Sequence, residues 1–182
     1  LRHVMPYQDG LAAAADVAAP MMSIGGGEPL IYPHIEALVA GLREQKRIVY
    51  ICTNGLFMRK KMRDWLAAEW TKNAAALETK LQQLLREELI TEAQLEEIRS
   101  PKAKAPAQTI GPSQWMYWNV HLDGLERTHD LIVEREGVFK EAVLAMRMAK
   151  VLGYQVATNT TVYKETEVKE IEDLFAYLGT LG

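Results

Sequence analysis

Cysteine is the scarcest residue in this chain, which has 182 residues and a single Cys. One cysteine excludes an internal disulfide, and it excludes a metal or cluster site that needs several cysteines of this sequence alone. A chain that uses so little cysteine is typical of a reducing compartment, so the sequence predicts a cytoplasmic protein.

The sequence also lacks an excess of positive charge and a long apolar run. Its 21 Lys and Arg residues are outnumbered by 24 Asp and Glu residues, which gives a net charge of −3 and no basic field to attract nucleic acid. No apolar run approaches the length of a membrane span, and no signal peptide is visible. We therefore expect no nucleic-acid partner and no transmembrane segment.

Short apolar runs alternate with helical patterns along the chain. The runs predict strands near 21–24, 47–52, 116–122 and 154–160, and residues 10–19 and 138–152 carry apolar residues at helical spacing. Pro33 is predicted at the first position of a further helix. The closing helix is predicted to bury one apolar face, formed by Ile171, Leu174, Phe175 and Leu178. This order predicts an α/β fold with a parallel sheet.

The second strand, 48–52, is a continuous apolar run. Such runs are typical of strands that are buried on both faces. We therefore expect Cys52 to be a small core residue.

The segment between the second and third strands is much longer than a crossover of roughly 30 residues requires. Residues 66–114 are therefore predicted to be an insertion, with a helical hairpin and a proline-containing tether over 100–113. Thr91 and Gln94 have the spacing of a capping box. The insertion is expected to form a small separate core from a stripe of leucines, namely Leu77, Leu81, Leu84, Leu85 and Leu89. A partner-binding or lid role for this stripe is the alternative.

A glycine-rich turn follows the first strand, where Gly25, Gly26, Gly27 and Glu28 precede Pro29. Glycine permits positive φ and lets a ligand approach bare backbone. Such a turn at a strand's carboxyl end is typical of a ligand site, and a plain strand-to-helix turn is the alternative.

The other strands also end in polar residues. Thr53 and Asn54 follow the second strand, His121 and Asp123 end the third, and Asn159 ends the fourth. Ligands of parallel α/β sheets bind at the carboxyl ends of the strands, so these residues predict one shared site.

Each of these residues also has a structural interpretation. Glu28 could cap or pair locally, His121 could be a strand-end histidine with its hydrogen bonds satisfied, and Asp123 is a good turn former. An amide at a buried strand end favours a functional Asn159. His129 and Asp130 are expected to cap the following helix.

The Ser23–Pro29 segment resembles the "GGEP" motif of radical S-adenosylmethionine enzymes. The turns at 53–55 and 122–124, the His129-Asp130 pair and the segment 136–139 match the same family in order. The segments 50–54, 121–124 and 158–161 resemble its hopanoid-biosynthesis branch, of the adenosyl-hopane synthase type. That branch adds a 5′-deoxyadenosyl radical to a hopanoid alkene.

The resemblance implies a partial (βα)₆ TIM-like barrel with about four of its strands present, formed by 1–65 and 115–182. It implies that S-adenosylmethionine and a 4Fe-4S cluster are the cofactors. The backbone carbonyls of Gly26, Gly27 and Glu28 would meet the methionine ammonium, and Gly25 belongs to the same cofactor-binding turn. Thr53 and Asn54 would line the floor, and the ribose or carboxylate would lie near His121, Asp123 and Asn159. The implied partners are a small-molecule or lipid-like substrate and an electron donor such as flavodoxin or ferredoxin.

One departure from the family is large. Its cluster is held by a CxxxCxxC loop after the first strand, and that loop is absent here. We expect the cluster ligands upstream of Leu1, in a longer protein, and this chain alone to be inactive. Two alternatives remain, namely a Rossmann-type binder of S-adenosylmethionine or a nucleotide, and a non-catalytic fragment or binding module.

Overall fold

The computed structural model of the protein describes residues 4–101 and 108–181. It contains a four-stranded sheet of β1 (Met21–Ile24), β2 (Ile48–Thr53), β3 (Met116–His121) and β4 (Gln155–Asn159), in that order. All neighbouring strands are parallel, which confirms the predicted α/β fold and its four strands. The described strands form an open sheet with β1 and β4 at its edges, so the partial barrel stays a prediction.

Seven α-helices lie in the described part of the chain. They are α1 (Tyr7–Asp16), α2 (Ile35–Glu44), α3 (Met58–Arg86), α4 (Glu92–Arg99), α5 (Glu126–Ile132), α6 (Val138–Leu152) and α7 (Val168–Gly179). The end of α6 follows directly from its sequence, because Gly153 adopts φ 89° as its left-handed cap. None of the described helices is both long and apolar enough to cross a membrane.

Two helix predictions need correction. Pro33 does not start α2, because His34 is the N-cap; Pro29 instead occupies the first turn of a short 3₁₀ helix, Pro29–Ile31. Phe175 was expected on the buried face of the closing helix but is 54% exposed, whereas Leu174 is buried. The helix turns Leu174 and Leu178 toward the core, while Phe175 lies outside this apolar stripe.

One face of the sheet is covered by helices. Side chains of α2, α3 and α6 join it in a single apolar core. We call this the covered face, and it is formed by Val49, Ile51, Thr53, Met116, Trp118 and Val120, which are all buried.

The opposite face of the sheet is not covered in the same way. Strand register places eleven side chains there, and we call them the open face: Met21, Ser23, Ile48, Tyr50, Cys52, Tyr117, Asn119, His121, Gln155, Ala157 and Asn159. The prediction that β2 is buried on both faces is therefore wrong, because its residues alternate between partial and complete burial. Cys52 is half-buried on the open face and is not a core residue.

The predicted leucine stripe does not form a separate core. Leu77, Leu81, Leu84 and Leu89 are buried in the same core as the sheet, and Leu85 packs against it. The reason is a bend in α3 at Asn73, whose backbone leaves helical geometry and whose side chain accepts a hydrogen bond from the Ala76 N–H. The second half of α3 thereby returns along the first.

Polar contacts fix both halves of α3, before and after the bend, against their surroundings. Arg59 pairs with Glu141 at 2.6 Å and donates to the Leu89 carbonyl, while Lys80 donates to the Leu152 carbonyl at 3.1 Å. The helix α4 begins with the predicted capping box, because Thr91 and Gln94 exchange hydrogen bonds.

The tether predicted over 100–113 lies partly outside the described residues, at 102–107. Its last part is packed. Ile110 is 2% exposed, and its carbonyl accepts a 2.7 Å hydrogen bond from the Tyr154 hydroxyl. Gly111 lies against the Trp65 indole, where a Cβ would approach within 2.6 Å. This part of the segment belongs to the core of the domain.

Candidate functional site

The glycine turn after β1 exposes bare backbone at the carboxyl edge of the sheet. Gly26 has φ 88° and Gly27 has φ 54°, so both occupy the left-handed region that favours glycine. All three glycines of the turn are exposed, and a Cβ built on Gly25 or Gly26 would meet no atom within 4 Å. The turn is therefore open on the side from which a ligand would approach.

The Glu28 carboxylate holds this turn to the end of β2. It accepts hydrogen bonds from the Thr53 hydroxyl at 2.9 Å, the Asn54 N–H at 2.9 Å and the Leu30 N–H at 3.0 Å. The last bond caps the 3₁₀ helix at Pro29–Ile31. The side chain of Glu28 is thus occupied within its own chain, as the local-capping interpretation anticipated.

Thr53 and Asn54 therefore support the turn from the protein side, through their hydrogen bonds to Glu28. Thr53 is 2% exposed on the covered face, and its hydroxyl also accepts from the Gly55 N–H. The Asn54 side chain accepts from the Leu56 N–H, which closes the turn after β2. The side chain of Thr53 can support a ligand only through Glu28.

A second cluster lies at the end of β3. The Asp123 side chain is fully buried, and its Oδ2 lies 2.7 Å from Nε2 of His121. Its Oδ1 accepts from the Thr161 N–H at 2.8 Å, and Oδ2 also accepts a longer bond from the Tyr163 hydroxyl. Asp123 thus joins the end of β3 to the loop after β4, while His121 is the member of the cluster that reaches the open face.

His129 is a buried residue of this cluster, and the expectation that it caps the next helix is wrong. The Asp123 N–H donates to its Nδ1 at 3.1 Å, and its Nε2 has no partner in the described part of the chain. Burial lowers the pKa of His129, since a charged imidazole would lose its hydration there, and Asp123 opposes that shift only in part. The helix α6 is capped by Asp130 alone, which accepts from the N–H groups of Gly137 and Phe139.

Asn159 ends β4 beside His121 in the strand register. It is exposed, so the expectation of an amide at a buried strand end is wrong. The cause is its position on β4, which is an edge strand of the sheet that the described residues form. Asn159 therefore remains available on the open face.

The open face carries a polar bridge that was not predicted from the sequence. Cys52 Sγ lies 3.2 Å from Ser23 Oγ and accepts from the Asn119 side chain at 3.3 Å. Below them, the rings of Tyr50 and Tyr117 stack with centroids 4.6 Å apart. Period-two alternation was visible in the sequence, but the register that aligns these residues across three strands was not.

A cleft of about 720 Å³ lies between α1, α2, β1 and the glycine turn. It has the size of a small-molecule site. Gly25, Gly26 and Glu28 line one end, and most of the remaining lining is apolar, including Val17, Met22, Ile24, Ile31 and Leu38.

The described residues contain no group of three or more His, Cys, Asp or Glu side chains that could hold a metal ion. No protein-family model matches the chain, and no curated protein matches it either. The geometry of the site offers backbone acceptors, amides, one partly exposed imidazole and an apolar cleft.

Proposed function

We propose that the carboxyl edge of this sheet binds S-adenosylmethionine, as part of a radical S-adenosylmethionine enzyme. The observation that carries the proposal is the open Gly26–Gly27 turn, where two consecutive residues have positive φ beside the polar end of β2. A substrate ammonium needs hydrogen-bond acceptors, and exposed glycine carbonyls can supply them without obstruction by side chains.

In this proposal Glu28 acts by holding the turn rather than by touching the ligand. Its hydrogen bonds from Thr53 and Asn54 fix the turn to the end of β2, so the backbone acceptors are positioned before the ligand arrives. Preorganised acceptors bind more strongly because less ordering cost falls on the binding step. His121 and Asn159 supply the side chains that face the ligand.

The residues of this chain do not fit a 4Fe-4S cluster. A cubane needs several thiolates, and the sequence has Cys52 alone, which bonds to Ser23 and Asn119 on the open face. Radical formation therefore requires cysteines that this sequence does not supply, together with an electron donor such as flavodoxin or ferredoxin. We propose ligand binding for this chain and derive no radical step from it.

The finer parts of the proposal are a lipid-like substrate, such as a hopanoid alkene that would receive the 5′-deoxyadenosyl group, and a cytoplasmic location. The apolar lining of the cleft beside the glycine turn supports a lipid-like substrate. The second candidate function is a binding module for S-adenosylmethionine or a nucleotide without radical chemistry, and the single cysteine favours it.

Titration calorimetry with S-adenosylmethionine tests the proposal, with Gly26→Val and Gly153→Val as a matched pair. The two glycines have φ 88° and 89°, and neither has an atom within 4 Å of a built Cβ. Both substitutions therefore impose the same backbone strain, but only Gly26 lies in the proposed site. We expect Gly26→Val to weaken binding by more than about tenfold and Gly153→Val to leave the affinity unchanged. Equal affinities in the two variants would contradict the proposal.

A further inference from the structure

His129 accepts a hydrogen bond that only a neutral imidazole can accept. The backbone N–H of Asp123 donates to its Nδ1 at 3.1 Å, and a backbone N–H can act only as a donor. A protonated imidazole carries a hydrogen on each ring nitrogen and therefore offers no acceptor. Protonation of His129 must break its bond to Asp123.

The position of His129 does not favour a protonated ring. The side chain is buried, and its ring centroid lies 6.3 Å from that of Phe139 on α6. Its Nε2 has no partner in the part of the chain that the structure describes. A hydrogen on Nδ1 would face the Asp123 N–H, donor against donor, so the ring or the chain at Asp123 has to move when His129 takes up a proton.

The charged groups that act on His129 lie at the end of β3 and on its own helix. Burial has the largest influence and lowers the pKa of His129, Asp123 raises it, His121 lowers it further, and Asp130 raises it. The ring centroid of His121 lies 6.1 Å from that of His129, and its Nε2 lies 2.7 Å from the Asp123 carboxylate. This carboxylate already has one imidazole as a partner before His129 titrates.

Two further carboxylates near α5 are engaged elsewhere. Asp130 accepts from the Gly137 N–H just before α6. Glu170 of α7 accepts from the Leu125 N–H at the start of α5. Neither carboxylate is hydrogen-bonded to His129, so neither replaces the bond that protonation breaks.

Asp123 connects His129 to the loop after β4. While its N–H is bound to the imidazole, its carboxylate accepts from the Thr161 N–H at 2.8 Å and from the Tyr163 hydroxyl at 3.4 Å. The loop therefore depends on a residue whose own backbone is fixed by His129. Loss of the imidazole bond weakens the support of the end of β3 and of the loop together.

We propose that His129 is a pH-sensitive switch, which fixes the end of β3 and the loop 160–163 when it is neutral and releases both when it is protonated. The release is local, because the large apolar side chains of the covered face, such as Trp118, take no part in the bond that breaks. Because burial lowers the pKa of His129, the release begins below the usual histidine value of about 6.5. The inference does not depend on the proposed function.

A pH series of ¹H–¹⁵N NMR spectra of this chain tests the proposal, with the histidine ring nitrogens and the backbone amides followed together. As the His129 ring takes up its proton, we expect the Asp123 amide signal to move and the hydrogen-exchange protection of the Thr161 amide to fall by about tenfold. The Trp118 amide is the reference within β3 and should keep its protection. An unchanged Asp123 amide while the His129 ring titrates would overturn the inference, and so would a His129 ring that stays neutral until the whole chain unfolds.

His129→Gln and His121→Gln form a matched pair that separates the two imidazoles. A glutamine at position 129 can still accept from the Asp123 N–H but does not titrate, and a glutamine at position 121 can still donate to the Asp123 carboxylate. We expect His129→Gln to abolish the pH-dependent release at Thr161 and His121→Gln to retain it. Release that persists in His129→Gln, or that is lost only in His121→Gln, would overturn the assignment of the switch to His129.

Discussion

The two faces of the sheet are made by the same strands and differ in almost every physical respect. On β3, Met116, Trp118 and Val120 are completely buried, whereas Tyr117, Asn119 and His121 are only partly buried. The six buried residues of the covered face are apolar apart from Thr53, while the open face carries hydroxyl, thiol, amide and imidazole groups. The hydroxyl, thiol and amide of Ser23, Cys52 and Asn119 contact one another across strands. Residues next to each other in a strand therefore differ in role, because one is buried in the core and the next leaves its polar groups accessible.

The comparison shows where stability and binding are separated. Burial of apolar side chains between the sheet and its helices stabilises the fold, because each large buried side chain contributes about 1.5–3 kcal/mol by leaving water. The open face leaves polar groups that can bond to a ligand. The glycine turn and Asp123 lie at the boundary between buried and exposed groups. Glu28 connects the exposed turn to the buried Thr53, and the buried Asp123 contacts the partly exposed His121.

The largest expected effect comes from the covered face. Trp118→Ala removes a fully buried indole whose ring centroid lies 5.8 Å from that of Tyr154. We expect this substitution to lower the free energy of unfolding by about 3–5 kcal/mol. Tyr117→Ala on the open face removes only a partly exposed stacking partner of Tyr50, and we expect about 1 kcal/mol. Urea unfolding measures the loss of unfolding free energy in both variants. Equal losses would show that the two faces contribute alike to stability.

Glu28 gives the next largest effect, at the boundary between the faces. Glu28→Ala leaves the buried Thr53 hydroxyl and the Asn54 N–H without their acceptor, so we expect a loss of about 2–4 kcal/mol in unfolding free energy. Glu28→Gln keeps one acceptor oxygen and should lose about half as much. If Glu28→Ala unfolds at the same urea concentration as the native chain, the carboxylate does not hold the turn.

The smallest expected effect is a pH dependence from His129. Burial lowers its pKa in the folded state, so the unfolded chain binds a proton more readily. The contribution of His129 to the free energy of unfolding is fully present above the pKa of the unfolded state, which is about 6.5. As the pH drops below that value, the free energy of unfolding falls by at most about 1.4 kcal/mol per pH unit, until the pH is below the pKa of the folded state.

His129→Gln removes this titration. Urea unfolding at a series of pH values should show the variant less stable than the native chain at alkaline pH, with a gap that narrows as the solution is acidified. A gap that stays constant between alkaline and acidic pH would mean that His129 does not titrate between the folded and unfolded states.

Much of the fold could be predicted from the sequence because its signals are local. The apolar runs gave the four strands, and the glycine at the end of α6 gave its cap. The errors arose where tertiary packing decides. The bend at Asn73 brought the leucine stripe into the main core, and the incomplete burial of the open face left Cys52 half-buried.

The candidate site was predicted in part for the same reason. Strand ends are local features, so Gly26, Asp123 and Asn159 could be placed at one edge of a parallel sheet. Which side chains are free to act there depends on partners distant in sequence. The bonds of Glu28 to Thr53 and of Asp123 to Thr161 span many residues, and no local pattern encodes them.

The most direct test of the central claim is a map of backbone amide shifts as S-adenosylmethionine is added to this chain. We predict that the shifts concentrate at the glycine turn 25–28 and at His121 and Asn159, and that the amides of covered-face residues such as Trp118 move much less. Shifts concentrated on the helices over the covered face, or none at Gly26 and Gly27 at saturating ligand, would contradict the account.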